Sequence, residues 1–460
     1  MNADLNMNFL IIPVEVKLRE FNSRLLLSCF ATEEKYKVIF GSQGAINRNI
    51  DYIPKGIIFD KSISKNKYKN LKTKLDKGFK IVSLDEEGLT SHENEFIYLK
   101  QRVSEKTLNL ASKFFTWGKD EYSLIAENFP NFKDKIYITG NPRIDLLNSN
   151  FKEIYRDRAL NYKKKYGKYV LLPSSFSFKH ARGNHFVFKQ AKDFGIITNK
   201  EEEEIFLDIE GPGGYIEKSY LAHIKMIHKL VRSFPKINFI IRPHPSEEKS
   251  SWDNFDEYRN VKIIMKGTIA PWLLGSELSV HNNCTTGLEA YLMGRPVVSY
   301  QPYDHKICGR HISNGVSLRA KTEEELVHHV KNILENPDYF KNNLKIWPIF
   351  KDIISISEDK FACEKIIEHL NNIDWPINEK NNILIPKIED FIIIGKRFVA
   401  KLLSKISYFK QKYAYGFQKF PGSSLKEITE IVDKYQQISG KFKDIKIEKI
   451  ANDLYYIHKN

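Results

Sequence analysis

Residues 238–248 read NFIIRPHPSEE, and residues 278–300 read LSVHNNCTTGLEAYLMGRPVVSY. Each segment opens with a short apolar run that is typical of a buried strand. The first run stops at residues 242–245, Arg-Pro-His-Pro, because two prolines exclude both a helix and further ladder pairing. The second run passes through a polar turn into a helical sequence, and another strand follows at Val297–Tyr300. This order of elements predicts an open α/β sheet with parallel strands.

Ligands of such sheets bind beyond the carboxyl ends of the strands. The turn after the second run carries two hydroxyls, and the free amides of a helix start suit a phosphate. The alternative interpretation is that Thr285 only caps the helix and that His244 is a surface loop residue. The candidate nucleotide-binding residues in this region are Arg242, His244, Pro245, Asn282, Asn283, Thr285, Thr286 and Gly287.

The composition describes a large globular protein with a strong basic excess. A length of 460 residues predicts two to three domains, and 42% hydrophobic with 28% charged residues argues against disorder. The formal net charge of +15 favours nucleic acid, an anionic membrane surface or an anionic substrate as partner. The four cysteines show no paired metal-ligand spacing, which indicates a reducing compartment.

The first residues do not resemble a secretory signal. The apolar run Phe9–Ile12 is short and ends at Pro13, and no basic segment precedes it. No window has the eighteen or so apolar residues that span a bilayer. We therefore expect a cytoplasmic protein that associates with the membrane at its surface.

The first part of the chain repeats a pattern of strand, loop and helix. Strand-like runs at residues 9–12, 37–40 and 56–60 are separated by helical segments, which predicts a parallel sheet with covered faces. Glu15, Arg19 and Glu20 follow the first run, where a ligand loop of the first domain would lie. Solvated charges at a helix start are the alternative interpretation.

A carboxylate cluster follows the strand-like run Phe79–Leu84. Asp85, Glu86 and Glu87 are consecutive and are followed by Gly88. Such clusters usually form solvated faces. At the mouth of a cleft, however, neighbouring charges can raise the pKa of a carboxylate, which then accepts a proton near neutral pH. We therefore treat these three residues as candidate catalytic groups.

Further transitions from strand to loop set the expected domain boundaries. The runs at residues 114–118 and 136–145 close the first domain, and the second of these contains Asn141 and Arg143. Tyr169–Pro173 restarts a sheet, and Ser174 and Ser175 form its first loop, which is not specific for phosphate. The expected domains cover residues 1–150, 151–375 and 376–460.

The third segment differs in composition from the rest. Residues 391–420 contain seven Lys or Arg, eight aromatic residues and no Asp or Glu. Apolar residues recur at steps of three and four, which predicts a basic amphipathic helix in a membrane interface. The alternative is a helix that packs on the catalytic body. Residues 423–458 are expected to form a small helical tail.

The motifs, in their order, resemble bacterial transferases of nonulosonic acids, including sialyl- and Kdo-transferases of the glycosyltransferase B fold. The resemblance spans about Met7 to Leu370 and also extends to surface carbohydrate biosynthesis proteins. It implies two Rossmann-like α/β domains that face each other across a cleft, with a basic helical C-terminal extension. The motifs that carry it are Pro13–Glu15 with Arg19-Glu20, Asp85–Gly88, Thr139–Arg143, His244-Pro245 and Thr285–Ala290.

The resemblance also implies roles for single residues. Glu86 or Glu87 would be the general base or acid. His244, Thr285 and Thr286 would contact the phosphate of CMP, and Glu289 would reach its ribose. Charge that develops on the phosphate can be stabilised by such groups without a metal, so no cofactor and no metal site are expected. If the reaction retains configuration, Asp208 and Glu210 are the candidate nucleophiles.

The leading hypothesis is transfer of a sialic, pseudaminic, legionaminic or Kdo-type acid from CMP to a capsule or lipopolysaccharide glycan on a lipid carrier. The basic segment would hold the enzyme on the anionic inner-membrane surface. Alternatives on the same fold are a CDP-glycerol or CDP-ribitol phosphotransferase and a UDP-sugar epimerase. A nucleic-acid-binding protein is the non-enzymatic alternative. It is disfavoured because no recognised nucleic-acid motif occurs and the basic excess is concentrated toward the tail.

Overall fold

The computed structural model describes residues 8–176, 188–189, 191–193, 195–244, 247, 249–357, 359–375, 383, 385, 395, 399 and 419–459. The chain forms two compact units. The first comprises Met1–Gly88, Arg102–Ile154 and Asp352–Asn460, and the second comprises Leu89–Gln101 and Tyr155–Lys351. The predicted basic helix of residues 391–420 and the predicted ligand residue Pro245 lie outside the described residues, apart from positions 395, 399, 419 and 420.

The first unit contains an eight-stranded sheet in the order β13-β14-β2-β1-β3-β4-β5-β6. The strands from β2 to β6 pair in parallel. All residues of β1 are buried, because helices cover both faces of a parallel sheet. The strands are β1 (Phe9–Val14), β2 (Lys37–Ser42), β3 (Ile57–Asp60), β4 (Lys80–Leu84), β5 (Lys113–Thr116), β6 (Ile136–Ile138), β13 (Lys446–Ala451) and β14 (Leu454–His458).

The end of the chain completes this sheet, and the prediction of a purely helical tail was wrong. A helix at Leu425–Ser439 is present, but β13 and β14 follow it as an antiparallel hairpin. β14 pairs antiparallel with β2, and Leu454 lies opposite Gly41. Leu454 and Ala451 enter the core cluster that contains Phe9, Ile11 and Ile39. Burial of these apolar side chains is the force that attaches the hairpin to the sheet.

The second unit contains a six-stranded parallel sheet in the order β12-β11-β10-β7-β8-β9. With β7 as its first strand, this is the strand order of the Rossmann fold. The predicted fold class, two Rossmann-like α/β units, is therefore confirmed. The strands are β7 (Tyr169–Pro173), β8 (Asn238–Arg242), β9 (Val261–Ile263), β10 (Leu278–His281), β11 (Val297–Tyr300) and β12 (Leu318–Ala320).

Most of the α-helices lie between successive strands along the chain, as parallel connections require. In the first unit they are Lys17–Glu33, Gln43–Arg48, Tyr68–Asp76, Glu105–Leu110, Lys119–Asn128, Pro142–Asn148, Ala362–Asn371 and Leu425–Ser439. In the second unit they are Thr90–Glu93, Glu95–Ile97, Arg156–Tyr166, Lys200–Glu210, Tyr215–Ser233, Ala270–Gly275, Thr285–Leu292, Glu323–Glu335 and Tyr339–Asn343. The helix Phe350–Ile353 lies where the chain leaves the second unit. None of the helices within the described ranges combines the length and apolar character needed to cross a membrane.

Residues 352–375 belong to the first unit, whereas the predicted second domain extended to residue 375. The carboxylate of Asp145 accepts hydrogen bonds from the amides of Ala362 and Cys363 at 2.9 and 2.8 Å. These amides begin the helix Ala362–Asn371, whose first N–H groups have no partner within the helix. The amide of Ser355 also donates to Trp117 O at 2.7 Å. Hydrogen bonds of this kind cannot be read from local sequence periodicity.

Candidate functional site

The strand order of the second sheet creates a crevice between β7 and β10. β7 leads to β8 and β9 on one side, and β10 leads to β11 and β12 on the other. Ligands of open parallel sheets bind at such a topological switch point. Ser174 and Ser175 follow β7, and the hydroxyl of Ser175 donates to Asn282 O at 3.1 Å. Asn282 follows β10 and donates its side-chain amide to Tyr300 O at 2.7 Å. Two loops that were predicted separately thus meet at the switch point.

Asn283 holds the turn that follows β10. Its φ of 44° lies in the left-handed region, which asparagine tolerates better than most residues. Its Nδ2 donates to the hydroxyl of Tyr215 at 2.8 Å. Its Oδ1 accepts from Gln301 Nε2 and Asn314 Nδ2, both at 2.7 Å. The side chain of this predicted ligand residue is therefore engaged in fixing the turn.

His281 also supports the turn that follows β10. Its side chain is fully buried, its Nδ1 accepts from Cys284 N at 3.3 Å and its Nε2 lies 3.0 Å from Ser317 Oγ. Burial lowers the pKa of His281 to about 3, so the ring is neutral at physiological pH. A Cβ on Gly287 would lie 2.3 Å from His281 Nε2. The glycine predicted as a ligand residue is thus required by this close approach.

The helix Thr285–Leu292 begins at the mouth of the crevice. Its N-cap is Cys284, whose side chain makes no capping hydrogen bond, so Thr285 is not the cap. Thr285 is exposed and Thr286 is half-buried, with the hydroxyl of Thr286 donating to Cys284 Sγ at 3.0 Å. The start of a helix carries partial positive charge and amide donors, which together bind anions such as phosphate.

His244 lies beyond the end of β8 with an exposed side chain. Its amide donates to Ser174 Oγ at 3.3 Å, and Ser174 in turn donates to Glu247 Oε2 at 2.6 Å. The buried Glu247 also accepts from Phe176 N at 2.8 Å and Trp252 Nε1 at 3.1 Å. Burial raises the pKa of Glu247 despite these donors. Sequence reasoning missed Glu247, which fixes Ser174 and the backbone of the His244 loop.

Two other predicted ligand residues are buried. The guanidinium of Arg242 donates to Lys266 O and Gly267 O, both at 2.6 Å, and stacks 5.5 Å from the ring centroid of Trp272. These contacts tie Arg242 to the loop after β9 and leave little of its side chain exposed. Burial lowers its pKa to about 10. Glu289, which the motif resemblance places at a ribose, is also buried.

A mostly buried acid in the second unit, Glu93, was not predicted. Glu93 Oε1 lies 3.3 Å from His311 Nε2. Burial raises the pKa of Glu93 to about 8 and lowers that of His311 to about 4. The two residues are more than two hundred positions apart in sequence, so no local signal could have joined them.

The first sheet has its own switch point, between β1 and β3, because β1 leads to β2 and β3 leads to β4. Glu15 follows β1 and Lys61 follows β3, and Lys61 Nζ lies 2.9 Å from Glu15 Oε2. Lys419 also pairs with Glu15. Burial opposes ionisation, but the charges of Lys61 and Lys419 lower the pKa of Glu15 to about 2. The structure thus places Glu15 at the switch point, as an ionised carboxylate.

The predicted carboxylate cluster lies in the same unit and is held by arginines. Asp85 is fully buried and forms a two-point pair with Arg102. Glu86 Oε1 lies 3.0 Å from a guanidinium nitrogen of Arg24, and both side chains are almost fully buried. Glu87 is the exposed member, with 45% of its side chain accessible. None of these arginine partners was predicted.

The expectation of a raised pKa in this cluster is wrong for Glu87. Partial desolvation disfavours its ionisation, but the charges of Arg102, Arg19 and Lys61 lower the pKa of Glu87 below its ordinary value. Its oxygens lie 3.0 Å from Arg102 Nη1 and 3.4 Å from Arg19 Nη2. Arg19 and Glu20 lie in the first turn of the helix Lys17–Glu33 and not in a ligand loop. Glu20 is buried beside Arg24.

Some oxygens of this cluster lack donors. Glu20 Oε1 and Glu86 Oε2 are buried and make no hydrogen bond to any described residue. A buried carboxylate oxygen without a donor is costly.

Asn141 and Arg143 have a structural explanation. Asn141 is the N-cap of the helix Pro142–Asn148, and its Oδ1 accepts from Arg143 N at 2.8 Å. This is the usual role of asparagine at a helix start. Asn141 is almost fully buried. The motif therefore begins a helix whose Asp145 caps a second helix.

Asp208 and Glu210, the candidate nucleophiles, lie at the end of the helix Lys200–Glu210. The side chain of Asp208 is 75% exposed and lies 3.1 Å from His305 Nε2. His305 contacts the ring of Tyr215, with 5.0 Å between ring centroids. Asp208 thus lies beside His305, and His305 contacts Tyr215, whose hydroxyl accepts from Asn283.

Comparison with known proteins identifies no relative by sequence. No protein-family model matches this chain, and no curated protein is similar to it.

Solved structures of similar fold include UDP-GlcNAc 2-epimerase from Neisseria meningitidis bound to UDP-GlcNAc. It is 14% identical, with 80% of this chain and 100% of that chain covered and a TM-score of 0.49. Another is UDP-GlcNAc 2-epimerase from Methanocaldococcus jannaschii, at 14% identity over 79% of this chain and 99% of that one, with a TM-score of 0.47. Anabaena HepE in complex with UDP and glucose is 13% identical over 80% and 100%, with a TM-score of 0.41. Sequence identities of 13–14% and TM-scores of 0.41–0.49 do not indicate the ligand or the activity of this chain.

Proposed function

We propose that this protein is a sugar-nucleotide-dependent glycosyltransferase that moves a nonulosonic acid from CMP to a bacterial surface glycan. The observation that carries the proposal is the switch point of the second sheet. There the Ser174-Ser175 loop meets the Asn282-Asn283 turn, and the helix Thr285–Leu292 begins. Its exposed hydroxyl and first amides suit the phosphate of a nucleotide donor.

The chemistry of transfer fits this arrangement. When the sugar leaves its donor, negative charge develops on the phosphate. Preorganised hydroxyls and a helix N-terminus stabilise such charge without reorganising during the reaction. The rigid support beneath the turn, made by Asn283 and His281, provides that preorganisation. The exposed side chain of His244 is the proposed additional phosphate contact.

The exposed carboxylate of the first unit supports a role in binding the acceptor hydroxyl. Glu87 is exposed and ionised, and we propose it as the group that accepts the proton of the acceptor hydroxyl. Its lowered pKa makes it a weaker base than the sequence suggested.

The choice of CMP and of an acidic sugar rests on the order of the motifs, and the +15 net charge is compatible with anionic substrates. The lipid-linked acceptor and attachment to the anionic inner membrane through residues 391–420 are part of the proposal. A liposome-binding assay tests the attachment. We expect binding to anionic liposomes that weakens with salt, and no binding to neutral liposomes.

A thermal-shift screen with CMP, CDP, UDP and GDP tests the nucleotide site, because a ligand that binds the folded state raises its stability. We expect CMP to raise Tm most. Thr285→Val with Thr286→Val, and separately His244→Ala, should reduce this shift. His328→Ala is the matched control, because His328 is an exposed histidine on the helix Glu323–Glu335. An equal loss in the control would reject the assignment of His244.

An activity assay with a CMP-nonulosonate and a glycan acceptor then tests the reaction. We expect release of CMP and a new glycosidic bond, also in the presence of a metal chelator. Selective stabilisation by UDP, with inversion of a sugar centre and no acceptor, would instead identify an epimerase. A phosphodiester product from a CDP donor would identify a phosphotransferase.

A further inference from the structure

A large cavity of the second unit lies against β12 and the loop that follows β11. Its volume is about 860 Å³, within the range of small-molecule sites in proteins. All the residues that line it fall between Gln301 and Trp347, so the cavity belongs entirely to the second unit. Gln301 directly follows β11 and Lys321 directly follows β12. The cavity therefore reaches the carboxyl edge of the sheet, where parallel sheets bind ligands.

The wall of this cavity is joined to the Asn283 turn. Gln301 lines the cavity, and its Nε2 donates to Asn283 Oδ1 at 2.7 Å. His305 also lines it, with 5.0 Å between the centroids of its ring and that of Tyr215, whose hydroxyl accepts from Asn283. The cavity thus adjoins the turn that precedes Thr285, where the phosphate of the donor is proposed to bind.

The lining of the cavity is basic. It contains four cations and two carboxylates, which are Lys306, Arg319, Lys321, Lys345, Asp304 and Glu325. Both carboxylates are engaged, since Asp304 Oδ2 lies 2.7 Å from Lys321 Nζ and Glu325 accepts from the amide of Lys321 at 2.7 Å. Within the part of the chain that the structure describes, Lys306, Arg319 and Lys345 form no ion pair. These three positive charges suit an anionic ligand.

Trp347 gives the cavity a fixed aromatic wall. Its amide donates to Gly315 O at 2.9 Å, and a Cβ on Gly315 would lie 2.6 Å from the Trp347 ring. The ring is therefore packed directly on the backbone of that glycine. The guanidinium of Arg319 lies 5.9 Å from the centroid of the same ring. An aromatic surface beside a few polar groups is the usual lining of a small-molecule site, and the C–H face of a sugar ring packs on such a surface.

We infer that this cavity binds the carboxylate-bearing sugar of the donor. The inference rests on the proposed function and gives the same site its specificity. The phosphate binds at the start of the helix Thr285–Leu292, the sugar carboxylate binds among Lys306, Arg319 and Lys345, and the sugar ring packs on Trp347. A neutral hexose lacks the group that these cations bind, so the cavity selects an acidic sugar over a neutral one.

The test compares two double variants of the full-length protein. Lys306→Gln with Lys345→Gln removes two charges from the cavity, and both side chains are exposed, so the fold should be kept. Lys331→Gln with Lys341→Gln is the matched control, because it removes two exposed charges of the same unit that do not line the cavity.

Calorimetric titration measures binding of CMP, CMP-N-acetylneuraminic acid and CMP-Kdo. We expect the cavity variant to bind the CMP-sugars about tenfold more weakly than wild type, as hydrogen bonds to a charged group are lost. Its affinity for CMP should be unchanged. The control variant should match wild type with all three ligands.

Free sugars test the cavity without the nucleotide. Saturation-transfer NMR should detect N-acetylneuraminic acid and Kdo on the wild-type protein. The signal should weaken with salt and disappear in the cavity variant. N-acetylmannosamine, which has no carboxylate, should give a much weaker signal. Displacement of the acidic sugars by an equal concentration of inorganic phosphate would show a general anion site and overturn the assignment to a sugar.

The failure of this inference differs from the failure of the proposed function. If CMP binds but the cavity variant binds the CMP-sugars and free acids as wild type does, the cavity assignment is overturned and the nucleotide site stands. If CMP does not bind while free acids bind in a lysine-dependent manner, the donor assignment fails and the cavity remains a site for acidic sugars. Absence of binding by every ligand rejects both.

Discussion

His281 occupies the space that a side chain at position 287 would need, since a Cβ there would lie 2.3 Å from His281 Nε2. Gly287→Ala should therefore displace the imidazole and loosen the turn after β10. We expect a loss of about 1–3 kcal/mol in the free energy of unfolding, as for overpacked cores, and a smaller Tm increase with CMP. Denaturant unfolding and the thermal-shift screen measure both effects.

The control for this change is Gly309→Ala in the same unit. No atom lies within 4 Å of a Cβ built at Gly309, so stability and nucleotide response should stay near wild type. Equal effects of the two alanines would show that the contact with His281 is not the cause.

Arg24 and Glu86 form a buried ion pair, and breaking it should be costly. Arg24 also donates to Phe59 O at 2.9 Å. Arg24→Met would therefore leave both the Glu86 carboxylate and the Phe59 carbonyl without this donor. We expect a loss of about 3–5 kcal/mol, the usual effect of leaving a buried charge unpaired. Lys426→Met is the comparison, because its pair with Glu430 is exposed at 3.8 Å and should change stability by at most about 1 kcal/mol. Urea unfolding of both variants measures these two changes in the free energy of unfolding.

Glu93 should make the protein less stable as the pH rises. Its pKa is about 8 in the folded protein, against an ordinary 4.5, so the folded state binds more protons between these values. Stability is therefore fully present below about pH 4.5 and is lost as the pH rises toward 8. Glu93→Gln should flatten this part of the curve of Tm against pH. A wild-type slope that persists unchanged in the variant would contradict the assigned pKa.

His223 should have the opposite effect in acid. Both ring nitrogens are buried without a hydrogen-bond partner among the described residues, and burial lowers the pKa from 6.5 to about 3. The unfolded chain therefore binds more protons below pH 6.5, and stability falls as the pH drops toward 3. His223→Leu should reduce the acid sensitivity by up to about 1.4 kcal/mol per pH unit. The exposed His328→Ala should leave the acid limb of the denaturation curve unchanged.

The hairpin at the edge of the first sheet depends on Gly41. A Cβ at this position would lie 2.2 Å from Asp453 O, so Gly41→Ala should push β14 away from β2. Hydrogen exchange of residues 446–458 should become faster, whereas Gly44→Ala should leave it unchanged. The Cβ of residue 44 would meet only the flexible end of Arg48, at 3.2 Å.

Much of the fold was predictable because its strands are short buried runs that end at polar residues. The predicted strands Tyr169–Pro173, Leu278–His281 and Val297–Tyr300 coincide with β7, β10 and β11. β9 and β12 were missed because each has three residues with a charged residue in the middle, whereas the equally short β6 is uninterrupted. The outer strand β13 was missed because half of its residues are exposed and its Lys and Glu residues conceal the alternation.

The candidate site was predictable only where it follows a strand directly. Asn282, Asn283 and Thr285 come immediately after β10, so position alone indicated them. The arginines that pair with Asp85 and Glu86 were not predicted, because those contacts join residues distant in sequence. Glu93 was not predicted for the same reason, because the residues that pack on it, 308–312, are distant in sequence. A pKa set by tertiary burial cannot be inferred from neighbouring residues in the chain.

The pairing of β14 with β2 has a consequence for the order of synthesis. β2 ends at Ser42, and its outer partner begins at Leu454, so a ribosome makes the whole second unit before the outer edge of β2 can be paired. During that interval β2 presents an open row of amides and carbonyls, which is a template for pairing with another chain. Truncation before Lys446 removes β13 and β14 and would make that exposure permanent.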